Sequence, residues 1–189
     1  MNNNKISIGK IIQIIQKNEN INSLIADELD VNPKDLNEYI SNQIHSTVKI
    51  HIDGGSRGNP GDGGAGVVLE KNSRKKGYYY YLGKVTNNEA EYQALINALE
   101  LLEKLNFKNT VIFTDSQLLA NQINGSYKVK SDTLKKYHEN ARALIGKLSK
   151  FTITYIPREE NKDADYLANK AMDLKSNGEI ELAVARPLK

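Results

Sequence analysis

Hydrophobic and polar residues alternate where the chain first becomes regular, at Val48, Ile50 and Ile52. This period of two predicts a β-strand over residues 47–53. The glycine-rich segment that follows, GGSRGNPGDGG, is expected to form a turn. Four further short runs predict strands, and these are AGVVLE, KGYYYYLG, TVIFTD (110–115) and FTITYIP (151–157).

In the segments between and after the later strands, apolar residues recur at helical spacing. Over residues 88–105 they form one stripe, made of Leu95, Ala98, Leu102 and Leu105. Three more helices are predicted, over residues 116–123, 132–148 and 161–174. Three strands followed by alternating helices and strands predict an α/β fold, in which helices flank a mixed five-stranded sheet.

The first 45 residues have a different pattern and are predicted to be a small helical segment. Their isoleucines recur at helical spacing, at Ile8, Ile11, Ile12 and Ile15. Two short helices with a turn before Pro33 would give a helix-turn-helix outline. A DNA-reading helix needs basic and amide side chains, and here Lys34 is set against Asp35 and Glu38. A structural or protein-contact role is therefore favoured, and the role of the segment stays open.

We accordingly divide the chain into residues 1–45, a main domain over residues 46–174 and a tail over residues 175–189. The first part carries a net charge of −2 and residues 46–189 carry +5, within a total of +3. A basic excess in the larger part is a modest indication of a nucleic-acid partner.

Composition excludes several classes of chemistry. The chain has no cysteine, which removes disulfides, thiolate zinc sites and cysteine nucleophiles. No apolar run approaches the roughly 18 residues of a membrane span, and the first residues lack the apolar core of a secretory signal. We therefore expect a cytoplasmic protein without a membrane partner.

Two acidic residues stand directly at predicted strand ends. Asp53 ends the first strand and Asp115 ends the strand TVIFTD. Open α/β sheets place their sites at the carboxyl ends of strands. If these two strands are parallel neighbours, the two carboxylates meet at one edge of the sheet.

Two further acidic residues share helical faces with apolar side chains. Glu91 begins the apolar stripe of the helix over residues 88–105, where an unpaired carboxylate is costly. Asp165 shares a face with Ala168 and Met172 near the start of the last helix.

Each acid also has an ordinary structural interpretation. Asp53 precedes a turn, Asp115 precedes a helix that it would cap, and the other two fit the first turns of helices. For one residue alone the structural interpretation is favoured. Four such residues on converging elements instead favour hard oxygen ligation of Mg²⁺ or Mn²⁺, and two such ions can cleave a phosphodiester.

Four sequence blocks in order resemble type 1 ribonuclease H, over roughly residues 47–174. They are HIDGGSRGNPGDGGAG, TNNEAEYQALINALELL, FTDSQLLANQI and NKDADYLANKA. The resemblance implies a sheet whose second strand is antiparallel to the other four. It also implies an endoribonuclease that binds two Mg²⁺, with Mn²⁺ as a substitute, and needs no small-molecule cofactor. Such an enzyme cleaves the RNA strand of an RNA–DNA hybrid and leaves a 5′-phosphate. The implied catalytic and metal-binding residues are Asp53, Glu91, Asp115 and Asp165.

The same resemblance implies a set of polar contacts to the RNA strand. These residues are Ser56, Asn59, Asn87, Asn88 and Gln117. Amides and hydroxyls can bond 2′-hydroxyls and minor-groove edges, which distinguish RNA from DNA. Without the resemblance, a role for the asparagines in turns and caps would be favoured.

The chain departs from the family pattern in two places. The loop PREENKDAD lacks the histidine of many members, with Arg158 and Glu159 as candidate replacements. The segment GSYKVKSD stands where many members have a basic protrusion with tryptophan, and this chain has no tryptophan. The lysines that would hold phosphates instead, or form a solvated face, are Lys128, Lys130, Lys135 and Lys136.

Two alternatives to hybrid cleavage stay open. The first keeps the fold and changes the substrate to double-stranded RNA or primer junctions. The second is a nucleic-acid-binding regulator that uses the N-terminal helices. Four retained acids weigh against the second, because a binding module has no need to hold repelling charges together.

Overall fold

The structure, a computed structural model, describes residues 46–183 together with Ile25 and residues 32–35. Residues 33–35 are helical, and the rest of the predicted helix-turn-helix lies outside the described residues. The strands are β1 (Thr47–Gly58), β2 (Gly61–Lys71), β3 (Arg74–Val85), β4 (Asn109–Thr114), β5 (Lys150–Tyr155) and β6 (Gly178–Leu182). The helices are α1 (Asn87–Lys104), α2 (Gln117–Ile123), α3 (Asp132–Ile145) and α4 (Lys162–Leu174).

All six strands belong to one mixed sheet, in the order β5-β4-β1-β2-β3-β6. Strand β1 is parallel to β4, and β4 is parallel to β5. Strand β2 is antiparallel to both of its neighbours, β1 and β3. The predicted α/β fold and the antiparallel second strand are therefore confirmed.

The sheet has one strand more than the five that were predicted. Strand β6 pairs antiparallel with β3, with Ile180 opposite Gly77. Ile180 and Leu182 pack against buried Val68 and Leu167, while Glu179 and Glu181 are exposed. An edge strand of five residues with only two apolar positions gives a weak sequence signal, and these residues fall in the segment we assigned to the tail.

The glycine-rich segment is a hairpin rather than a long turn. Strand β1 continues to Gly58 and β2 begins at Gly61, so only Asn59 and Pro60 connect them. The glycines allow helices to approach the hairpin closely. A Cβ on Gly54 would lie 2.2 Å from the Ala90 carbonyl of α1, and one on Gly66 would lie 2.1 Å from the Ala164 carbonyl oxygen of α4. Helix backbones therefore approach both faces of β1 and β2 near Asp53.

The main core lies between the sheet and α1. Val48, Ile50 and Ile52 are fully buried, as their alternation predicted. The stripe of α1 is buried at Leu95, Ala98 and Leu102 and half-buried at Leu105. Among the described residues, no helix is both long and apolar enough to span a bilayer.

Candidate active site

Strand pairing brings Asp53 and Asp115 together. In the parallel ladder Ile52 lies opposite Thr114, so the next residue of each strand is an aspartate. The two side chains therefore meet where β4 ends, as the sequence predicted. The prediction that Asp53 ends the first strand is wrong, because β1 continues to Gly58 and Asp53 lies within it. Ser116, rather than Asp115, caps α2, because its Oγ accepts a hydrogen bond from the Leu119 N–H at 3.3 Å. Asp115 is thus available to the site.

A capping box places Glu91 beside these aspartates. The Thr86 Oγ1 accepts a hydrogen bond from the Glu89 N–H at 3.3 Å, and the Glu89 carboxylate accepts one from the Thr86 N–H at 2.7 Å. This reciprocal pair fixes the beginning of α1, and Glu91 lies in the following turn. One carboxylate oxygen each from Asp53, Glu91 and Asp115 lies within 4.8 Å of the others.

The cluster is buried and electrostatically unfavourable in the absence of a counter-charge. Asp53 and Glu91 are each only 8% exposed. Burial, followed by the charges of Asp115 and Asp165, raises the pKa of Asp53 to about 7. Burial, followed by the charges of Asp53 and Asp115, raises the pKa of Glu91 well above its usual range. The Glu91 Oε2 is buried without a hydrogen-bond partner among the described residues, which is costly unless a cation approaches it.

Asp165 lines the same cavity but lies outside this compact cluster of three carboxylates. It stands in the first turn of α4, where Arg158 Nη2 donates to its Oδ1 at 2.5 Å. Asn169 Nδ2 lies 3.4 Å from its Oδ2. The hydrogen bond with Asp165 raises the pKa of the Arg158 guanidinium. Of the two candidates for the missing histidine, Arg158 therefore reaches the site, whereas Glu159 lines a separate cleft beside His51.

The four acids line one open cavity of about 460 Å³. Oxygen atoms of four carboxylates, two of them buried, are the donors that hard divalent cations prefer. The donor set therefore fits Mg²⁺ or Mn²⁺. The other polar or aromatic side chains on its wall are Ser56, Arg57, Asn87, Tyr155, Arg158 and Asn169.

Comparison with known proteins identifies the family. A family model described as Reverse transcriptase-like matches residues 51–171. A ribonuclease HI from Halobacterium salinarum is 34% identical over 160 residues, which cover 78% of this chain and 77% of that protein. The chain belongs to the type 1 ribonuclease H family. It is therefore a nuclease of the hydrolase class.

Solved structures of ribonucleases H1 share the fold. That of the Halobacterium salinarum enzyme has a TM-score of 0.64 at 37% identity, and covers 68% of this chain and 98% of that one. LC11-RNase H1, crystallised in complex with RNA/DNA hybrid, has a TM-score of 0.62 at 38% identity, with coverage of 68% and 98%. The bifunctional protein Rv2228c of Mycobacterium tuberculosis is 39% identical over 67% of this chain, but the match spans only 35% of that protein.

Three of the predicted substrate residues of this ribonuclease H are connected by hydrogen bonds. The Asn87 Oδ1 accepts from the Ser56 N–H at 3.3 Å, and the Asn59 Oδ1 accepts from the Asn87 N–H at 3.2 Å. These bonds join the hairpin to the start of α1, so the carbonyl oxygens of both amides serve structure. The Nδ2 groups of Asn59 and Asn87 take no part in these two hydrogen bonds.

The predicted substrate residues occupy different places around the site. Ser56 and Asn87 lie on the wall of the carboxylate cavity. Asn59, Asn87 and Asn88 line an adjoining groove of about 320 Å³. Gln117 is exposed at the start of α2 and lines neither the cavity nor the groove.

Sequence analysis did not single out four residues of the ribonuclease H site, which are Arg57, Tyr155, Asn161 and Asn169. Asn161, in the loop before α4, donates from its Nδ2 to the Asp115 Oδ1 at 2.9 Å and to the Ile52 carbonyl oxygen at 2.8 Å. Its position in the block NKDADYLANKA was the available signal, but an asparagine before a helix is ordinarily interpreted as a cap.

His51 and three tyrosines of β3 contribute to packing. His51 stacks on Phe113 with ring centroids 4.9 Å apart. Tyr78 and Tyr80 pack against the main core, and Tyr79 packs on the opposite face with Val68. The segment in place of the protrusion is exposed at Tyr127, Lys128 and Lys130.

Proposed function

We propose that the protein is a metal-dependent endoribonuclease that hydrolyses the RNA strand of RNA–DNA hybrids. The observation that carries this proposal is the cluster of Asp53, Glu91 and Asp115, contributed by β1, α1 and the end of β4. Within residues 46–183 the buried Glu91 Oε2 has no hydrogen-bond partner. Such a cluster is repulsive unless a cation neutralises it. The relative crystallised with an RNA/DNA hybrid supports the choice of substrate.

The chain's own residues would hold two Mg²⁺ ions, with Mn²⁺ as a substitute. Asp53, Glu91, Asp115 and Asp165, which line one cavity, would hold them. When bound, a pair of divalent cations activates a water molecule and stabilises the leaving oxygen of a phosphodiester. Cleavage would leave a 5′-phosphate on the downstream product.

Polar residues around the cavity would select and orient the RNA strand. Ser56 and Asn87 stand on its wall, and Asn59 and Asn88 extend this surface into the adjoining groove. Their hydroxyl and amide groups suit 2′-hydroxyls, which DNA lacks. Gln117 would contact the strand from the start of α2. We propose residues 46–174 as the catalytic domain, to whose sheet β6 adds an edge strand, with residues 1–45 and the remainder of 175–189 as appended segments.

A strand-labelled cleavage assay tests the proposal. We expect cleavage of the RNA strand of a hybrid, with Mg²⁺ or Mn²⁺ and not with EDTA, and no cleavage of double-stranded DNA. Preferential cleavage of double-stranded RNA or of primer junctions would instead support the alternative substrate. A folded protein that cuts none of these substrates would favour a regulator that binds nucleic acid.

A substitution at the cluster tests the residue assignment. Asp115→Asn keeps the size of the side chain but removes its charge, and we expect hybrid cleavage to fall by about 10³-fold or more because metal-assisted stabilisation is lost. The thermal unfolding temperature should be retained. Cleavage by this variant at the wild-type rate would contradict the assignment.

A further inference from the structure

One buried side chain joins β1 to the carboxylate at the end of β4. Asn161 is 1% exposed. An amide NH₂ group has two hydrogens to donate, and the Asn161 Nδ2 donates one to the Ile52 carbonyl oxygen and one to the Asp115 Oδ1. Because Ile52 immediately precedes Asp53, the amide ties the backbone beside one acid to the carboxylate of another.

The main chain of the same residue holds the beginning of α4. The Asn161 carbonyl oxygen accepts hydrogen bonds from the N–H groups of Ala164 and Asp165, both at 3.1 Å. The Asn161 side chain makes no capping hydrogen bond to this helix. Its amide therefore serves the carboxylate cluster rather than the usual function of an asparagine before a helix.

Few other side chains meet the requirements of this position. An aspartate has no donor when ionised and would place another negative charge beside Asp115. A leucine of similar size has no donor either, and it would leave the buried Ile52 carbonyl without this partner. A neutral side chain with two donors satisfies both acceptors.

We propose that Asn161 is a positioning residue, which fixes the Asp115 carboxylate in the orientation that binds the cation. This inference rests on the function proposed above. Asn161 is buried and acts through Asp115. Groups that orient metal ligands typically contribute 10- to 100-fold in metal affinity or activity, and a purely structural asparagine would contribute to stability alone.

Titration calorimetry of the full-length, metal-free protein with Mn²⁺ tests this role without substrate. We expect Asn161→Leu to weaken Mn²⁺ binding by about tenfold or more. Thr110→Val is a matched control, because Thr110 is 2% exposed and its Oγ1 donates to the Val48 carbonyl oxygen of β1 at 3.1 Å. Both variants lose a buried bond to a β1 carbonyl, but only Asn161→Leu should lose cation affinity.

The outcomes separate this inference from the proposed function. Equal Mn²⁺ affinity in Asn161→Leu and the wild type would overturn the positioning role while the proposed function stood. Absence of Mn²⁺ binding by the wild type would overturn the proposed function, and the positioning role with it.

A measurement on the wild type covers the case in which Asn161→Leu does not fold. The side-chain amide NMR signals of Asn161 should shift when Mg²⁺ is added. The Mg²⁺ concentration at the midpoint of this shift should equal that for the backbone amide signal of Asp115. Side-chain signals that do not respond to Mg²⁺ would overturn the inference.

Discussion

The four acidic residues of the site occupy three different environments. Asp53 and Glu91 are buried, and burial followed by the charges of neighbouring acids raises the pKa of each. Asp115 receives a hydrogen bond from Asn161, and Asp165 is paired with Arg158. Two of the carboxylates therefore need a cation to offset their charge, whereas the other two already have hydrogen-bond donors from the protein.

The raised pKa of Asp53 predicts how the stability of the metal-free protein depends on pH. Its pKa rises from 3.8 to about 7 on folding, so the folded state retains a proton that the unfolded state has released. The stability contributed by the protonated carboxyl group is complete below pH 4 and is lost as the pH rises through 7. Three pKa units correspond to a loss on the order of 4 kcal/mol.

Urea unfolding in EDTA between pH 5 and 8 measures this loss. We expect the free energy of unfolding of the wild type to fall across this range. Asp53→Asn, which has no proton to lose, should show a smaller fall and greater stability at pH 8. Parallel pH profiles for the two proteins would contradict the assignment.

At the level of elements, the site depends on two helices that approach the β1–β2 hairpin. Gly54 admits the backbone of α1, which carries Glu91, and Gly66 admits α4, which carries Asp165. Gly66 lies opposite Asp53 in the sheet. The glycine-rich sequence therefore brings acids on helices into range of an acid on a strand.

Substitution of Gly66 tests the requirement for close approach. A Cβ there would lie 2.1 Å from the Ala164 carbonyl oxygen and 2.8 Å from the Ala168 amide nitrogen, so α4 must move. We expect Gly66→Ala to destabilise the protein by about 1–3 kcal/mol or more, as overpacking does, and to lower cleavage activity.

Gly146→Ala is the control for this substitution. At Gly146, at the end of α3, the nearest atoms to an added Cβ are 3.5 Å away. This variant should keep the unfolding temperature and the activity of the wild type. If the Gly66→Ala protein is as stable and active as the Gly146→Ala protein, close approach of α4 to Gly66 is not required.

The whole molecule combines parts of unlike charge. Residues 1–45 carry −2 and residues 46–189 carry +5. Within the larger part, acids gather in the cavity, whereas Lys128 and Lys130 are exposed in a separate segment. A bound cation would reduce the negative charge that faces a phosphate.

We expect the affinity for an RNA–DNA hybrid to depend on salt, since isolated lysines would provide contacts to phosphates. Each neutralised phosphate contributes roughly −0.7 to −0.9 to the slope of log K against log salt concentration. Binding of Asp115→Asn to a hybrid, measured between 50 and 200 mM salt in Ca²⁺, gives this slope. Lys128→Gln combined with Lys130→Gln should reduce it, and a flat wild-type response would contradict the expectation.

The sequence alone predicted five of the six strands, the four helices and four candidate acids, because these depend on local spacing. The alternation of Val48, Ile50 and Ile52 predicted β1, and the stripe after Glu91 predicted that an acid faces the core. The blocks of the family pattern also gave the sheet topology. These signals are carried by residues close together in the sequence.

Only the tertiary structure decided which groups meet and which are already paired. It placed Asp53, Glu91 and Asp115 together, paired Asp165 with Arg158, and added β6 to the sheet. It also joined Asn161 to Ile52, 109 positions away in the chain. Such contacts depend on the register between strands and on how closely helices pack. The hydrophobic pattern within one segment does not specify which distant segment it contacts.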